Sequence, residues 1–121
     1  MMPPEVIHTL RRAQAFATAR GLTLYLVGGF IRDQLLGRPW RYLNVDLAIA
    51  RGAIAQARAL ASHLGAAFVP LDEVEGTARV IVTHDEQRLE LDLSDFRGPT
   101  LEADLARRDF TINAIAIALA D

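Results

Sequence analysis

Oxygen-bearing side chains on two predicted strands are the residues of this sequence best suited to metal chemistry. Asn44 and Asp46 lie two residues apart in an apolar run, and Asp92 lies in a later run that alternates apolar and polar residues. Residues two apart on a strand share a face at about 6 to 7 Å. Their oxygens, with a carboxylate from a neighbouring strand, could hold one or two hard cations of the kind that support phosphoryl transfer. Glu90, on the face of Asp92, is a further candidate ligand.

A purely structural role is the alternative for these three residues. Asn44 would then cap a bend, and Asp46 or Asp92 would face solvent or pair with an arginine. The pattern of the strands alone leaves both interpretations open.

A second candidate site begins at Gly28 and Gly29, between an apolar β-rich run and a helical pattern. Two glycines at such a turn let a ligand approach the backbone, and the amides of a helix start favour an anion such as phosphate. Arg32 could bind the same phosphate, and Asp33 could cap amides or hold an arginine. The alternative is a tight turn without a ligand. All 13 basic residues are arginine, so the lysine of a P-loop is absent, and the glycine spacing is not that of a dinucleotide site.

The third candidate site lies near the C-terminal end, where Arg107 and Arg108 precede Asp109 and Asn113. Guanidinium groups bind a triphosphate well, and a carboxylate with an amide can hydrogen-bond a ribose. The alternative is a helix C-terminus whose arginines meet the negative end of the dipole, followed by a capped turn.

Composition excludes several other classes of site. The 121 residues contain no cysteine and carry a formal net charge of −2, so thiolate chemistry is absent and there is no bulk attraction for nucleic acid. The three histidines are too scattered for a zinc site, and no serine has the context of a nucleophile elbow. We expect one domain in the reducing cytoplasm, with no membrane role.

Hydrophobic periodicity predicts the elements that would position these residues. It predicts helices over residues 4–20, 30–36, 53–64, 101–107 and 111–119, strands over 22–27, 45–50, 67–71, 78–83 and 88–94, a loop over 38–42 and a hairpin turn at 84–86. Strands that alternate with helices early in the chain and form a hairpin later predict an α+β domain with a short mixed sheet. Leu89, Leu91 and Leu93 would face the core, and Glu90, Asp92 and Ser94 the opposite side.

In this order, the motifs resemble those of the class II tRNA nucleotidyltransferase (CCA-adding) and bacterial poly(A) polymerase family. They are Leu26-Val-Gly-Gly-Phe-Ile-Arg-Asp33 with Leu35-Leu-Gly-Arg-Pro39, then Asn44-Val-Asp46, then Asp92 before Phe96-Arg97, and finally Leu101-Glu-Ala-Asp-Leu-Ala-Arg-Arg-Asp-Phe-Thr-Ile-Asn-Ala114. The resemblance covers about residues 22–118. We expect residues 1–121 to be one catalytic head domain from a longer protein, with an N-terminal helix in 1–21 and the core in 22–121.

The resemblance implies a nucleotidyltransferase fold of the DNA polymerase beta superfamily. The reaction would be attack of an RNA or tRNA 3′-hydroxyl on the α-phosphate of ATP or CTP, releasing pyrophosphate. By matching position, Gly28, Gly29 and Arg32 would hold the triphosphate, Asp46 and Asp92 would bind Mg²⁺, and Arg108, Asp109 and Asn113 would meet phosphate and ribose.

One residue departs from the family pattern, which has Asp-x-Asp where this chain has Asn44-Val45-Asp46. An amide oxygen can bind a hard cation, but it carries no charge and bridges two ions weakly. We therefore expect Asn44 to make a poor third metal ligand and the chain to be catalytically weak while keeping nucleotide affinity. A non-catalytic nucleotide- or RNA-binding module of the same fold is the alternative function. A purely structural domain is a third, against which the clustered polar residues of the C-terminal motif weigh.

Overall fold

The computed structural model describes residues 4–27, 42–96, 98, 100 and 116–118, which form two helices and six strands. The elements in chain order are α1 (Pro4–Ala19), β1 (Tyr25–Val27), β2 (Tyr42–Ile49), α2 (Ala53–Leu64), β3 (Ala67–Asp72), β4 (Thr77–His84), β5 (Gln87–Asp95) and β6 (Ala116–Ala118). The α+β class and its mixed sheet are confirmed, as are the helices near 4–20 and 53–64.

The six strands form one sheet with the spatial order β3-β4-β5-β2-β1-β6. Every neighbouring pair is antiparallel except β2 and β5, which run parallel at the centre. The predicted hairpin is present, since β4 ends at His84, β5 begins at Gln87, and Asp85 takes the positive φ of 54° that the tight turn requires. The centre of the sheet is therefore built from two strands that are distant in the sequence.

One face of the sheet is the hydrophobic core. On β5 the residues Leu89, Leu91 and Leu93 are each at most 2% exposed, as the alternation predicts. Helix α2 packs against β3, β4 and β5 and contributes Ala57 and Leu60 to the same core. Its alanines let it lie close to the sheet, and Gly65, in the left-handed conformation with φ of 66°, ends it by donating its N–H to the last carbonyls.

The buried Gln14 of α1 fixes the start of β1. Its Oε1 accepts the backbone N–H of Leu24 at 3.0 Å, and its Nε2 donates to Thr18 Oγ1 at 3.2 Å. A buried amide with both ends hydrogen-bonded has one favoured position. Gln14 therefore sets the position of β1, whose last residue, Val27, directly precedes the two glycines of the second candidate site.

The prediction of a helix over residues 111–119 is wrong at residues 116–118, which form strand β6. This strand pairs antiparallel with β1, with Leu26 opposite Ile117. The β-branched isoleucines at alternate positions 115 and 117 favour a strand, and the otherwise unpaired edge of β1 supplies hydrogen bonds that a helix prediction from periodicity does not consider. Tyr42 was likewise predicted in a loop and lies in β2, while residues 30–36, 38–41 and 101–107 lie outside the described part of the chain.

The N-terminus of helix α2 is capped by a residue that is distant in the sequence. Gly52, at the N-cap, has no side chain that could accept a hydrogen bond, and the backbone N–H of Ala53 instead donates to Asp95 Oδ1 at 2.8 Å. We predict that Asp95→Ala lowers the free energy of unfolding by about 1 to 2 kcal/mol, because the acceptor and its favourable charge at the helix start are lost. Urea unfolding measures this.

Asp95→Asn and Glu73→Ala are the matched controls for that substitution. The first keeps an acceptor oxygen and recovers part of the loss, and the second removes an exposed carboxylate from the turn before β4 and leaves stability unchanged. Equal stability of Asp95→Ala and the unsubstituted protein would show that the contact contributes nothing.

Candidate functional site

Asp46 and Asp92 lie side by side on the face of the sheet opposite the core. The parallel register of β2 and β5 pairs Asp46 with Asp92 directly, and residues paired in this way project to the same side. Neighbouring strands are about 4.8 Å apart, so both carboxylates lie within reach of one cation. The structure thus brings together the two carboxylates that the sequence nominated.

Asn44 and Glu90 form the next pair along the same two strands. Asn44 lies inside β2, so it does not cap a bend. Its Nδ2 donates to Asp92 Oδ2 at 3.0 Å and lies 3.4 Å from Glu90 Oε1. Two carboxylate oxygens face this amide group, and the nitrogen must be the atom that meets them, because an oxygen there would be repelled. The prediction that Asn44 binds a metal ion through its amide oxygen stays a prediction.

Arg79, on β4, is a site residue that sequence reasoning missed. It pairs in register with Asp92 and forms a bidentate ion pair with it. Nε donates to Oδ1 at 2.7 Å, and Nη2 donates to Oδ2 at 3.0 Å. The same Nε lies 3.3 Å from Glu90 Oε1. The arginine pairing considered as an alternative for Asp92 is therefore present, on the same carboxylate that was nominated as a metal ligand.

Glu90 is an anchor within this cluster. Its side chain is only 2% exposed, and Arg88 donates to its Oε2 from Nη2 at 2.9 Å and from Nε at 3.1 Å. With Asn44 and Arg79 at Oε1, both of its oxygens are engaged. A buried carboxylate is stable only when it is paired in this way, so Glu90 holds the two arginines in place. We call Asn44, Arg79, Arg88, Glu90 and Asp92 the polar network.

The oxygens of Asp92 retain some capacity for a cation. An ionised carboxylate has about four lone-pair positions, and three of them accept hydrogen bonds from Arg79 and Asn44. Mg²⁺ is usually held by one or two carboxylates together with waters and substrate phosphates rather than by a cage of protein ligands. Of the residues that the structure describes, Asp46 and Asp92 are the paired carboxylates that fit that requirement. Among the described residues, no group of three or more His, Asp and Glu side chains is arranged to hold a metal ion.

The remaining nominated residues lie outside the described part of the chain. They are Gly28, Gly29, Arg32, Asp33, Arg108, Asp109 and Asn113. Sequence continuity still gives one relation, because Gly28 follows Val27, and Val27 is paired with Asp46 in the register of β1 and β2. The chain thus enters the Gly-Gly motif from a strand residue directly beside the nominated metal ligand.

Neither of the two described helices has the length and hydrophobicity of a membrane-spanning segment.

Comparison with protein families gives a match over most of the chain. The model of the poly A polymerase head domain matches residues 24–121. A CC-adding tRNA nucleotidyltransferase from Synechocystis sp. is 50% identical over 91 residues, which are 75% of this chain and 21% of that protein. An A-adding tRNA nucleotidyltransferase from Deinococcus radiodurans is 47% identical over 95 residues, covering 76% of this chain and 19% of that protein. The chain therefore spans about a fifth of the length of these relatives.

Solved structures share the same fold. A CCA-adding enzyme in complex with ATP superimposes with a TM-score of 0.80 and 32% identity, covering 98% of this chain and 28% of that chain. The Thermotoga maritima CCA-adding enzyme complexed with tRNA gives a TM-score of 0.79 and 33% identity over 98% of this chain and 27% of that chain. These similarities confirm the expected nucleotidyltransferase fold.

The central position of Arg79 in the polar network leads to a prediction about stability. Arg79→Gln leaves Asp92 and the buried Glu90 with fewer donors, so we expect the free energy of unfolding to fall by about 1 to 3 kcal/mol. A double-mutant cycle with Asp92→Asn, followed by urea unfolding, measures the coupling directly. We expect about 1 kcal/mol or more between the two positions, and strictly additive effects would mean that the ion pair does not form.

Proposed function

We propose that this chain, which belongs to the poly A polymerase head domain family, is the catalytic head of a tRNA 3′-end nucleotidyltransferase. The reaction is transfer of a nucleoside monophosphate from ATP or CTP to the 3′-hydroxyl of tRNA, with release of pyrophosphate. The observation that carries the proposal is the direct pairing of Asp46 with Asp92 on one face of the sheet. The relatives are named for CC, A or CCA addition to tRNA, which favours tRNA over other RNA as the acceptor.

In this proposal Asp46 and Asp92 bind Mg²⁺, and Asn44 is a third, weaker ligand of the same ion. The bound ion would supply positive charge that stabilises the pentavalent phosphate and lowers the pKa of the attacking hydroxyl. Arg79 orients Asp92 by gripping both of its oxygens, so the carboxylate is in place before substrate arrives. Preorganisation of this kind avoids the cost of rearranging the charged groups during the reaction.

The nucleotide would lie beside this pair, at the Gly-Gly motif. Gly28 and Gly29 would let the triphosphate approach the backbone, with Arg32 and Asp33 at the start of the following segment. Arg108, Asp109 and Asn113 would contact phosphate and ribose. The position of Val27 beside Asp46 supports this arrangement, because it brings the chain to the carboxylates immediately before the glycines. We place the reaction in the cytoplasm, in keeping with a sequence that contains no cysteine.

We propose residues 1–121 as one catalytic head with an N-terminal helix in 1–21 and the nucleotidyltransferase core in 22–121. The helix Pro4–Ala19 contacts α2 through Phe16 and His63, whose rings lie 5.0 Å apart. Arg20, directly after the helix, donates from Nε to Gln56 Oε1 of α2 at 2.7 Å. The helix therefore packs on the same core as the sheet.

Incorporation of labelled nucleotide into a tRNA transcript that lacks its 3′-terminal CCA tests the proposed function. We predict Mg²⁺-dependent addition of CMP, AMP or both, and a fall of about 10²-fold or more in kcat for Asp46→Asn and for Asp92→Asn, since each removes a charged ligand. Glu75→Gln, in the exposed turn before β4, is the control that changes charge by the same amount away from the site.

Two results would contradict this account. Nucleotide binding without any incorporation, at all Mg²⁺ concentrations, would favour the non-catalytic binding module. Full activity in Asp46→Asn or Asp92→Asn would show that the paired carboxylates are not the metal ligands.

A further inference from the structure

We propose that Asn44 is a positioning residue whose amide nitrogen holds the carboxylates of Asp92 and Glu90 in place when no cation is bound. The inference rests on the contacts of one group of atoms. The Nδ2 of Asn44 lies 3.0 Å from Asp92 Oδ2 and 3.4 Å from Glu90 Oε1. A single amino group therefore bridges two carboxylates on the neighbouring strand.

The register of the strands makes this bridge possible. Asn44 pairs directly with Glu90, and Asp92 is the next residue along β5 on the same face. The side chain of Asn44 therefore reaches its direct partner and its diagonal neighbour together, and the shorter contact is the diagonal one to Asp92. The amino group of Asn44 thus donates to two carboxylates. A hydrogen bond from an amide N–H to an ionised carboxylate is stronger than one to a neutral acceptor.

The charges of the cluster explain why an amide suits this position. Three carboxylates, those of Asp46, Glu90 and Asp92, share the face with the guanidinium groups of Arg79 and Arg88. An aspartate at position 44 would add another negative charge and would place an oxygen where the amino group now meets Asp92 Oδ2. Two carboxylate oxygens at hydrogen-bond distance repel each other unless a proton or a cation lies between them.

A cation holds carboxylates close together in a cluster that contains only carboxylates. In this chain the amide of Asn44 does part of that work. Asp92 is oriented by Arg79 from one side and by Asn44 from the other before any ion binds. The cluster is consequently ordered without a divalent ion, and binding of the ion stabilises the protein less than it would with an aspartate at this position. The inference deepens the proposed function, since it concerns the metal-binding face, but its test needs no nucleotide transfer.

Thermal unfolding of the purified protein in EDTA and in MgCl₂ at constant ionic strength tests the inference. We expect Asn44→Ala to lower Tm by about 5 °C in EDTA, because the donor is lost and nothing replaces it. The loss is smaller in MgCl₂, where a bound ion holds the carboxylates instead. Asn44→Asp has a lower Tm than Asn44→Ala in EDTA and recovers most of its loss in Mg²⁺, since the ion then neutralises the added carboxylate. The unsubstituted protein shows a smaller response to Mg²⁺ than Asn44→Asp.

Gln87→Glu is the matched control. Like Asn44→Asp, it changes an amide to a carboxylate, but at the first residue of β5, which is not a member of the polar network. We expect its Mg²⁺ response to equal that of the unsubstituted protein. If Asn44→Asp does not fold in EDTA while Gln87→Glu does, and Mg²⁺ restores the fold, the inference is supported.

Three outcomes would overturn the inference. The first is an unchanged Tm for Asn44→Ala in EDTA, and the second is a response of Asn44→Asp to Mg²⁺ no larger than that of Gln87→Glu. The third is a failure of Asn44→Asp to fold in either buffer. The proposed function stands or falls separately, because it is measured by nucleotide incorporation in the unsubstituted protein.

Discussion

The parallel pairing of β2 with β5 is the constraint on which the site depends. Parallel neighbours cannot be joined by a tight turn, so the chain must cross over between them. Here the crossover contains α2 and the hairpin strands β3 and β4. The chain returns so that Asp46 lies beside Asp92 and Asn44 beside Glu90. A register shift of one residue would move Asp92 to the core face and destroy both the site and the packing.

The core and the polar face therefore fix each other. Leu91 and Leu93 are almost completely buried against the helices, and this burial determines which side of β5 carries Glu90 and Asp92. On the polar side, the nearly buried Glu90 is compensated by Arg79, Arg88 and Asn44. The same arginine that neutralises Glu90 also orients Asp92. The contacts that compensate the charge of the buried Glu90 therefore also set the orientation of Asp92.

Much of this architecture could be predicted from the sequence, and the failures have identifiable causes. Local periodicity gave the two helices and the strands β3, β4 and β5 with small errors at their ends, and alternation on β5 separated the core leucines from Glu90 and Asp92. Which strands become neighbours is not a local property, so the pairing of Asp92 with Arg79 was missed. Alternation of Arg79 with the buried Ala78 and Val80 could have placed it on the polar face. Strand β6 was missed for the same reason, since its pairing with β1 overrides a weak helical pattern.

A crystal structure of the protein soaked with ATP and Mn²⁺ would test most directly whether the paired carboxylates form the metal site. We expect an anomalous peak within about 2.5 Å of oxygens from both Asp46 and Asp92, with the triphosphate adjacent to it. An ordered nucleotide with its metal ion bound away from these two side chains would contradict the account, whatever the activity of the protein.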